Sequence, residues 1–195
     1  MRVAFTKERL ASRIRQLGRA ISKDYAGRTL DVLVVLDNGF LFGADLIRRI
    51  SVPVVCRFIR AEMHDVSLGG HARREIYFSW PPGLRGRDVL LVDAILNTGV
   101  TQDFLMKQIL EGRPRSLRLA VLFDKPDARK VNLKAEYTGF SSASNHMVGF
   151  GLSGRAGLNR NLPYVGLSRP ESRRASAGKR TGRGKGKVGK DEVVL

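Results

Sequence analysis

The 195-residue sequence contains one cysteine, Cys56, and three histidines. A single thiol excludes an internal disulfide framework and any zinc site built from several cysteines. Because Cys56 falls in the apolar stretch 52–59, we expect it to be buried and inert. No run approaches the roughly 18 consecutive apolar residues of a membrane span, and we see no signal-type apolar segment at the N-terminus. We therefore expect a cytoplasmic protein without membrane contact.

Acidic residues are scarce: 18 Asp and Glu stand against 35 Lys and Arg, which gives a formal net charge of +17. Residues 169–190 hold nine of these basic residues against Glu171 alone and have few apolar side chains. Such a segment cannot offset the entropy lost on ordering. We expect one folded domain over residues 1–167 and a disordered basic tail over 168–195. The tail could contact RNA or DNA weakly through its charge, or act only as a solubilising segment, and it has no aromatic residue for base stacking.

Residues 89–101 (VLLVDAILNTGVT) carry the strongest functional signal, since an apolar strand leads through Asp93 into a turn of small and hydroxyl-bearing residues. The turn consists of Asn97, Thr98, Gly99, Val100 and Thr101. Its backbone amides, its threonine hydroxyls and the dipole of the following helix all favour one bound phosphate group. Glycine lets the backbone approach that ligand closely. A plain strand-to-helix turn is the alternative interpretation.

Hydrophobic periodicity predicts helices that alternate with strands. A first helix begins after Thr6, a candidate N-cap, and buries Leu10, Ile14, Leu17 and Ile21. Further helices follow residues 37–39 and the turn 97–101. Strands are predicted over 30–36, 52–59, 89–93, 117–123 and 135–140, with shorter ones at 76–78 and 147–152. Residues 61–75 are polar and contain glycine, which favours a mobile loop or lid.

This alternation predicts an α/β fold with a mainly parallel central sheet flanked by helices. Ligands of such sheets bind beyond the carboxyl ends of the strands, where Asp37, Asp93 and the turn 97–101 fall together. We predict that Asp93, Asn97, Thr101 and Lys125 converge on a single cleft.

The order of elements resembles that of the hypoxanthine-guanine phosphoribosyltransferases, a branch of the type I phosphoribosyltransferase fold. The matching strings are ISKDYAGRTL (21–30), LFGADLIRRI (41–50), VPVVCRFIR (52–60), LLVDAILNTGVT (90–101), SLRLAVLFDKPDARKV (116–131), EYTGF (136–140), VGFGL (148–152) and NLPYVG (161–166). They span about residues 5 to 167. The resemblance implies the type I fold with a small hood and a mobile loop, and a homo-oligomer.

The resemblance also implies an enzyme of purine salvage. Family members use Mg²⁺ and transfer ribose phosphate from phosphoribosyl diphosphate to N9 of hypoxanthine or guanine, with release of diphosphate. The resemblance assigns the 5′-phosphate to Thr98, Gly99, Val100 and Thr101, and the ribose hydroxyls and metal to Asp93. The diphosphate loop would comprise Asp37, Asn38, Gly39 and Arg160. The base pocket would comprise Lys125, which would donate to the purine 6-oxo group, with His146, Met147 and Ser153.

Residues that serve chemistry in the family are partly replaced here. The acidic pair at the strand end reads Asp93-Ala94. The family's aspartate in the phosphate turn, thought to assist proton removal at purine N7, is Asn97, and an amide cannot act as a general base at neutral pH.

The binding loops depart from the family as well. The diphosphate loop reads LDNG at 36–39, so that Asp37 stands where the family has a lysine. His146 replaces a stacking aromatic residue, and Ser153 replaces an aspartate near the purine amino group. The lid begins with Glu62-Met63 instead of a Ser-Tyr pair.

Several functions remain open at this point. In the first, the protein is a transferase in which Asp37 or Asp93 recruits Mg²⁺ and a histidine, His64, His71 or His146, supplies the missing proton transfer. In the second, it binds a nucleotide or sugar phosphate in a regulatory role without turnover. A third possibility is a mainly structural or nucleic-acid-binding protein.

Overall fold

Nine strands and three helices form the part of the chain that the structure, a computed structural model, describes: residues 1–68, 71–78, 83–144, 146–154 and 157–168. The strands are β1 (Arg2–Phe5), β2 (Leu30–Leu36), β3 (Val54–Leu68), β4 (His71–Phe78), β5 (Asp88–Leu96), β6 (Ser116–Asp124), β7 (Tyr137–Ser141), β8 (Met147–Val148) and β9 (Val165–Leu167). The helices are α1 (Lys7–Asp24), α2 (Phe40–Ile47) and α3 (Val100–Glu111). The basic segment 169–190 lies outside the described residues.

The central sheet has six strands in the order β4-β3-β2-β5-β6-β7. All neighbouring strands are parallel except β3 and β4, which pair antiparallel. The predicted α/β fold with a mainly parallel sheet is therefore confirmed. The predicted central strands agree closely with β2, β5 and β6, because strands buried on both faces have nearly continuous apolar sequences.

The two faces of the sheet pack against different layers, because successive side chains of a strand point to opposite sides. On one face, Val32, Val34, Leu90 and Val92 pack with the buried residues of α1 and α2. On the other, Leu33, Leu91 and Val121 pack with Leu105 and Ile109 of α3. Leu110 of α3 is exposed.

Helix α1 begins and packs as its sequence predicts. Thr6 is the N-cap, and its side-chain oxygen accepts a hydrogen bond from the Arg9 backbone N–H at 3.3 Å. This bond satisfies one of the amides left unpaired at a helix start. The predicted apolar stripe Leu10, Ile14, Leu17 and Ile21 is buried.

A second, antiparallel sheet in the order β1-β9-β8 was not predicted as such. The Phe5 ring at the end of β1 lies 4.9 Å from the ring of Phe123 and 4.8 Å from that of Phe140. These aromatic contacts join the small sheet to the end of the central sheet. The predicted strand at 147–152 is shorter than expected, since β8 covers Met147–Val148 and is followed by a single bridge between Gly149 and Leu152.

The prediction of a loop over residues 61–75 was wrong for the described residues 61–68 and 71–75. Strand β3 continues to Leu68 and pairs antiparallel with β4, from Ala61 opposite Phe78 to Leu68 opposite His71. Backbone hydrogen bonds can pair two strands whose sequences have no apolar pattern. Cys56, expected to be buried, is only partly buried, and its pKa is raised by burial. Within the described ranges, no helix is long and apolar enough to cross a membrane.

Candidate active site

One cleft opens beyond the carboxyl ends of the parallel strands. Its cavity volume is about 380 Å³, within the usual range for small-molecule pockets. It is lined by Val35, Leu36, Asn38, Asp93, Ile95, Asn97, Thr101, Gln102, Lys125, Met147, Leu152 and Ser153. The four residues predicted to converge, Asp93, Asn97, Thr101 and Lys125, are all among them.

The turn 97–101 links the end of β5 to the start of α3. Gly99 has φ of +83°, and a Cβ atom there would lie 2.8 Å from Cγ2 of Val131. Glycine is therefore required both by the backbone conformation and by the close packing. Thr101 of the first turn of α3 lines the cavity, whereas Val100 is exposed. The Thr98 hydroxyl accepts a long hydrogen bond, 3.5 Å, from the Val100 backbone N–H.

Arg129 supports this turn from a distant part of the chain, and sequence reasoning missed it. Its Nη1 donates to the backbone carbonyl of Asn97 at 2.6 Å, and its Nη2 pairs with the carboxylate of Asp124. Its side chain also packs against Gly99. The position of the turn thus depends on a largely buried ion pair at the end of β6. The only sequence signal was an arginine four residues after Lys125.

Asp93, at the carboxyl end of β5, is 7% exposed. Its Oδ1 accepts from the backbone N–H of Ala94 at 2.7 Å, and its Oδ2 accepts from the side-chain amide of Gln102 at 2.6 Å. Burial raises the pKa of Asp93 to about 6, while the hydrogen bonds from Gln102, Ala94 and Ile95 oppose that rise. Gln102 was not predicted to contribute to the site.

Lys125 and the predicted base pocket occupy the side of the cleft next to β6. Lys125 is buried, and desolvation lowers its pKa. Met147 and Ser153 line the same cavity. His146 does not: it is exposed and lies outside the lining, while its backbone carbonyl accepts from Ser168. The structure therefore gives no support to a catalytic His146, and the side chains of His64 and His71 lie outside what it describes.

The loop between β2 and α2 forms the opposite wall of the cleft. A Cβ atom at Gly39 would lie 2.4 Å from the Val35 carbonyl oxygen, so only glycine fits there. Arg160 crosses to this loop, and its Nη1 donates to Asn38 Oδ1 at 2.7 Å and to the Gly151 carbonyl at 2.6 Å. These bonds bring the predicted diphosphate residues Asn38, Gly39 and Arg160 together.

Asp37 is not an isolated anion in this loop. Arg60 Nη2 lies 3.2 Å from Asp37 Oδ1, and Arg160 Nη2 lies 3.9 Å from Asp37 Oδ2. Asp37 is about half exposed, so water screens both pairs. Two guanidinium groups therefore lie beside this carboxylate on the wall of the cleft.

The predicted metal ligand Asp93 has no acidic neighbour in the cleft. Among the described residues, no group of three or more histidine, cysteine, aspartate or glutamate side chains is arranged to hold a metal ion. The cleft does offer hard oxygen donors, since the Asp93 carboxylate and the side-chain amides of Asn38 and Asn97 line one cavity. Magnesium is commonly held by one or two carboxylates together with substrate phosphates and water, and this donor set fits that pattern.

Comparisons with known proteins identify the family of this chain. A family profile described as a phosphoribosyl transferase domain matches residues 5–153. The hypoxanthine-guanine phosphoribosyltransferase of Lactococcus lactis subsp. lactis is 32% identical over 170 residues, which cover 87% of this chain and 92% of that relative.

Solved structures agree. A hypoxanthine phosphoribosyltransferase from Staphylococcus aureus aligns with a TM-score of 0.79 at 31% identity, covering 88% of this chain and 92% of that one. A hypoxanthine-guanine phosphoribosyltransferase from Bacillus anthracis aligns with a TM-score of 0.75 at 32% identity, covering 86% and 97%. Identity of this extent over nearly the whole of each relative establishes common descent. The chain belongs to the phosphoribosyltransferase family, in its hypoxanthine-guanine branch.

Proposed function

We propose that the protein transfers the phosphoribosyl group of phosphoribosyl diphosphate to N9 of an oxo-purine, hypoxanthine or guanine, and releases diphosphate. The observation that carries this proposal is the convergence of three features on one cavity: the turn 97–101, the carboxylate of Asp93 and the buried cation of Lys125. A nucleoside monophosphate offers a phosphate, ribose hydroxyls and an oxo group to these three features. The named relatives support the same substrate class.

The cleft would position the two substrates from opposite walls. We assign the 5′-phosphate to the amides of the turn 97–101 and the Thr101 hydroxyl, at the positive end of α3. Lys125 would donate a hydrogen bond to the purine 6-oxo group, with Met147 and Ser153 bordering the base. Asn38, Gly39 and Arg160 would hold the diphosphate, and Asp93 the ribose hydroxyls.

Mg²⁺ belongs to this proposal as a substrate-bound ion. Asp93 would hold it together with oxygens of phosphoribosyl diphosphate, because Asp37 already faces two arginines. The bound ion would neutralise charge on the diphosphate. The residues of this chain would bind and orient both substrates and exclude water around the reacting carbon.

The chemical step breaks the bond between ribose C1 and a diphosphate oxygen and forms the bond from C1 to purine N9. Positive charge develops on the ribose, and the purine gives up one proton. Asn97 lines the cavity where the family has an acid, and its amide cannot accept that proton. We therefore propose that the proton passes to water and that catalysis rests on positioning and electrostatic stabilisation.

A second candidate is a nucleotide-binding protein without turnover. Ala94 and Asn97 favour it, since both replace carboxylates that serve chemistry in the family. The phosphate turn and Lys125 suit this function equally well, because binding a monophosphate requires the same contacts.

One experiment separates the two functions. Purified protein is assayed with phosphoribosyl diphosphate, Mg²⁺ and hypoxanthine, guanine or xanthine, beside equilibrium binding of the corresponding monophosphates. Magnesium-dependent formation of monophosphate establishes the transferase, and binding without product establishes the second candidate. Thr101→Val should abolish or weaken either result, whereas Thr29→Val, at an exposed threonine before β2, should not. Absence of both product and binding would refute both functions.

A further inference from the structure

Several arginines form ion pairs with two buried carboxylates at the amino ends of the central strands, opposite the cleft. Asp31, near the start of β2, and Asp88, at the start of β5, are both fully buried. Arg87 Nε lies 2.6 Å from Asp31 Oδ2, and Arg57 Nε lies 3.4 Å from Asp31 Oδ1. Each of these two arginines therefore forms an ion pair with a carboxylate that has no contact with solvent.

Asp88 is held in the same way. Arg115 pairs with its Oδ2, Arg28 Nη1 lies 3.6 Å from its Oδ1, and the hydroxyl of Ser116 donates to Oδ1 at 2.6 Å. The hydrogen bond from Arg115 holds the pKa of Asp88 below its usual value. The carboxylate stays ionised at neutral pH, so it keeps the guanidinium groups in place.

The outward parts of these arginines remain in water. The side chains of Arg28, Arg57, Arg87 and Arg115 are between 31% and 54% exposed, whereas both aspartates are at 0%. A ligand approaching this edge meets guanidinium groups and not the carboxylates that order them. Ordered side chains lose less conformational entropy when they bind.

Arg85, Arg113 and Arg118 extend this surface. We call the whole surface the arginine edge, and it consists of Arg28, Arg57, Arg85, Arg87, Arg113, Arg115 and Arg118. Arg85 and Arg113 lie on two adjoining loops, because the Gly86 backbone N–H donates to the Arg113 carbonyl at 3.0 Å. Within the described part of the chain, neither side chain makes a hydrogen bond or ion pair. Exposed carboxylates beside the edge are fewer, and they are those of Asp24, Glu111 and Glu136. Asp24 pairs with Arg118.

We propose that the arginine edge binds the phosphodiester backbone of nucleic acid. Guanidinium groups are planar forks that match phosphate oxygens and are weakly hydrated compared with ammonium groups. Two aromatic rings of this region, Tyr25 and Tyr137, are buried. The guanidinium carbons of Arg28 and Arg118 both lie 5.4 Å from the Tyr25 centroid, and that of Arg118 lies 5.9 Å from the Tyr137 centroid. Contact through phosphates without base stacking predicts binding that is sensitive to salt and independent of sequence.

The arginine edge lies at the amino ends of the parallel strands, whereas the cleft opens at their carboxyl ends. Nucleic acid bound to the edge would therefore leave the cleft open. Binding at the arginine edge would not require turnover in the cleft. The arginine edge consists of residues that the structure describes and does not include the basic segment 169–190.

Fluorescence anisotropy with the full-length chain tests the proposal. The probes are labelled single-stranded RNA, duplex RNA and duplex DNA of equal length, titrated at several salt concentrations between about 50 and 200 mM. The double variant R85E/R113E reverses two charges of the arginine edge without uncovering a buried carboxylate. The matched control R15E/R19E makes the same change at two exposed arginines of α1. Both variants retain the whole basic tail.

We expect R85E/R113E to weaken binding at least about tenfold and to reduce the slope of log affinity against log salt by about two, since two phosphate contacts are lost. The control should stay within about twofold of the wild type. Comparison of the three probes identifies RNA or DNA as the preferred source of the backbone. Monophosphate binding in the cleft should be unchanged in both variants, which checks that they are folded.

Three results would overturn the proposal. Equal weakening in both double variants would show that net charge alone drives binding. Unchanged binding in R85E/R113E would place the contact elsewhere, including the tail. Competition by poly-glutamate as effective as that by unlabelled RNA would indicate an acidic protein surface as the partner instead.

Discussion

The side-chain amide of Gln102 donates a hydrogen bond to Oδ2 of Asp93 at 2.6 Å. The first turn of α3 thus contacts the only carboxylate in the carboxyl-terminal half of β5. Gln102 is itself buried, and its amide also donates to the Ile95 carbonyl at 3.2 Å. Through this hydrogen bond one side chain links the helix that follows the turn 97–101 to Asp93, the acid that we assign to the ribose hydroxyls. The sequence places these residues nine positions apart and does not reveal the contact.

Replacing Gln102 with leucine should raise the pKa of Asp93 further. The ionised carboxylate would lose one hydrogen bond, which for a charged acceptor is worth about 1.5–3 kcal/mol and corresponds to roughly one pH unit or more. A ¹³C NMR titration of the Asp93 carboxyl measures this directly, and the acidic limb of any transferase activity should move upward with it. Gln108→Leu, at a glutamine on the same helix that pairs with Glu111, should leave the titration unchanged. An unaltered Asp93 titration in Gln102→Leu would contradict the assigned contact.

Asp93 should make the protein less stable as the pH rises. Its pKa is about 6 in the folded protein against a usual value of 3.8, so the folded state binds more protons between these two values. The free energy of unfolding contributed by this group therefore falls from about pH 4 to pH 6 and stays low above it, at a cost on the order of 2–3 kcal/mol.

Asp93→Asn removes that titration. Urea unfolding at a series of pH values should show the variant gaining stability relative to the wild type as the pH rises through 6, because only the wild type then carries a buried charge. Asp103→Asn, at an aspartate that pairs with Lys107 on the surface of α3, should follow the wild type instead. A constant difference between Asp93→Asn and the wild type across this range would rule out the raised pKa.

Asn97→Asp should raise the rate of phosphoribosyl transfer by restoring a proton acceptor beside the base. General acid–base assistance is typically worth about 100- to 10,000-fold, and we expect an increase toward the lower value. Steady-state kcat with hypoxanthine and guanine measures the effect. The control Asn159→Asp adds the same charge outside the cavity and should not accelerate transfer. Equal rates for Asn97→Asp and the wild type would mean that proton removal does not limit turnover.

Asp37→Asn should strengthen the binding of phosphoribosyl diphosphate and of inorganic diphosphate. The carboxylate competes with the ligand for Arg60 and Arg160, which lie 3.2 Å and 3.9 Å from it. Exposed ion pairs are worth up to about 1 kcal/mol, so we expect an increase in affinity of about two- to fivefold.

Calorimetric titration with inorganic diphosphate provides the direct measurement, and monophosphates, which have no diphosphate, should bind as before. The matched control is Asp45→Asn, at an aspartate of α2 that pairs with Arg48. Weaker diphosphate binding in Asp37→Asn would show that Asp37 orders the arginines for the ligand and does not compete with it.

The elements that the sequence predicted well are those whose burial leaves a periodic pattern. Strands β2, β5 and β6 read as apolar runs because both of their faces are covered. The stripe of α1 and its N-cap Thr6 follow from local spacing and local hydrogen bonding. Strands β1 and β9 were missed because they are three or four residues long and pair only with each other and β8. The hairpin of β3 and β4 was missed because its sequence is polar.

In the candidate site, too, local sequence predicted some residues, whereas contacts between distant segments could not be predicted. The turn 97–101 and Lys125 could be predicted because each follows directly on a strand, and Asp93 because it lies in the last part of one. Parallel strands end at a common edge. The ion pairs of Asp37 could not be predicted, since Arg60 and Arg160 reach it from other parts of the chain. The support of the turn by Arg129 was hidden for the same reason.

Local sequence thus specified the fold class and the identity and spacing of the residues in the turn 97–101, because side-chain identity and short-range spacing do not depend on folding. The pairing of Gln102 with Asp93, the arginines around Asp37 and the arginine edge on Asp31 and Asp88 emerged when distant segments packed together. Those contacts set the ionisation of buried carboxylates and the placement of exposed cations. Burial and distance control both of these properties, and neither is defined until the chain has folded.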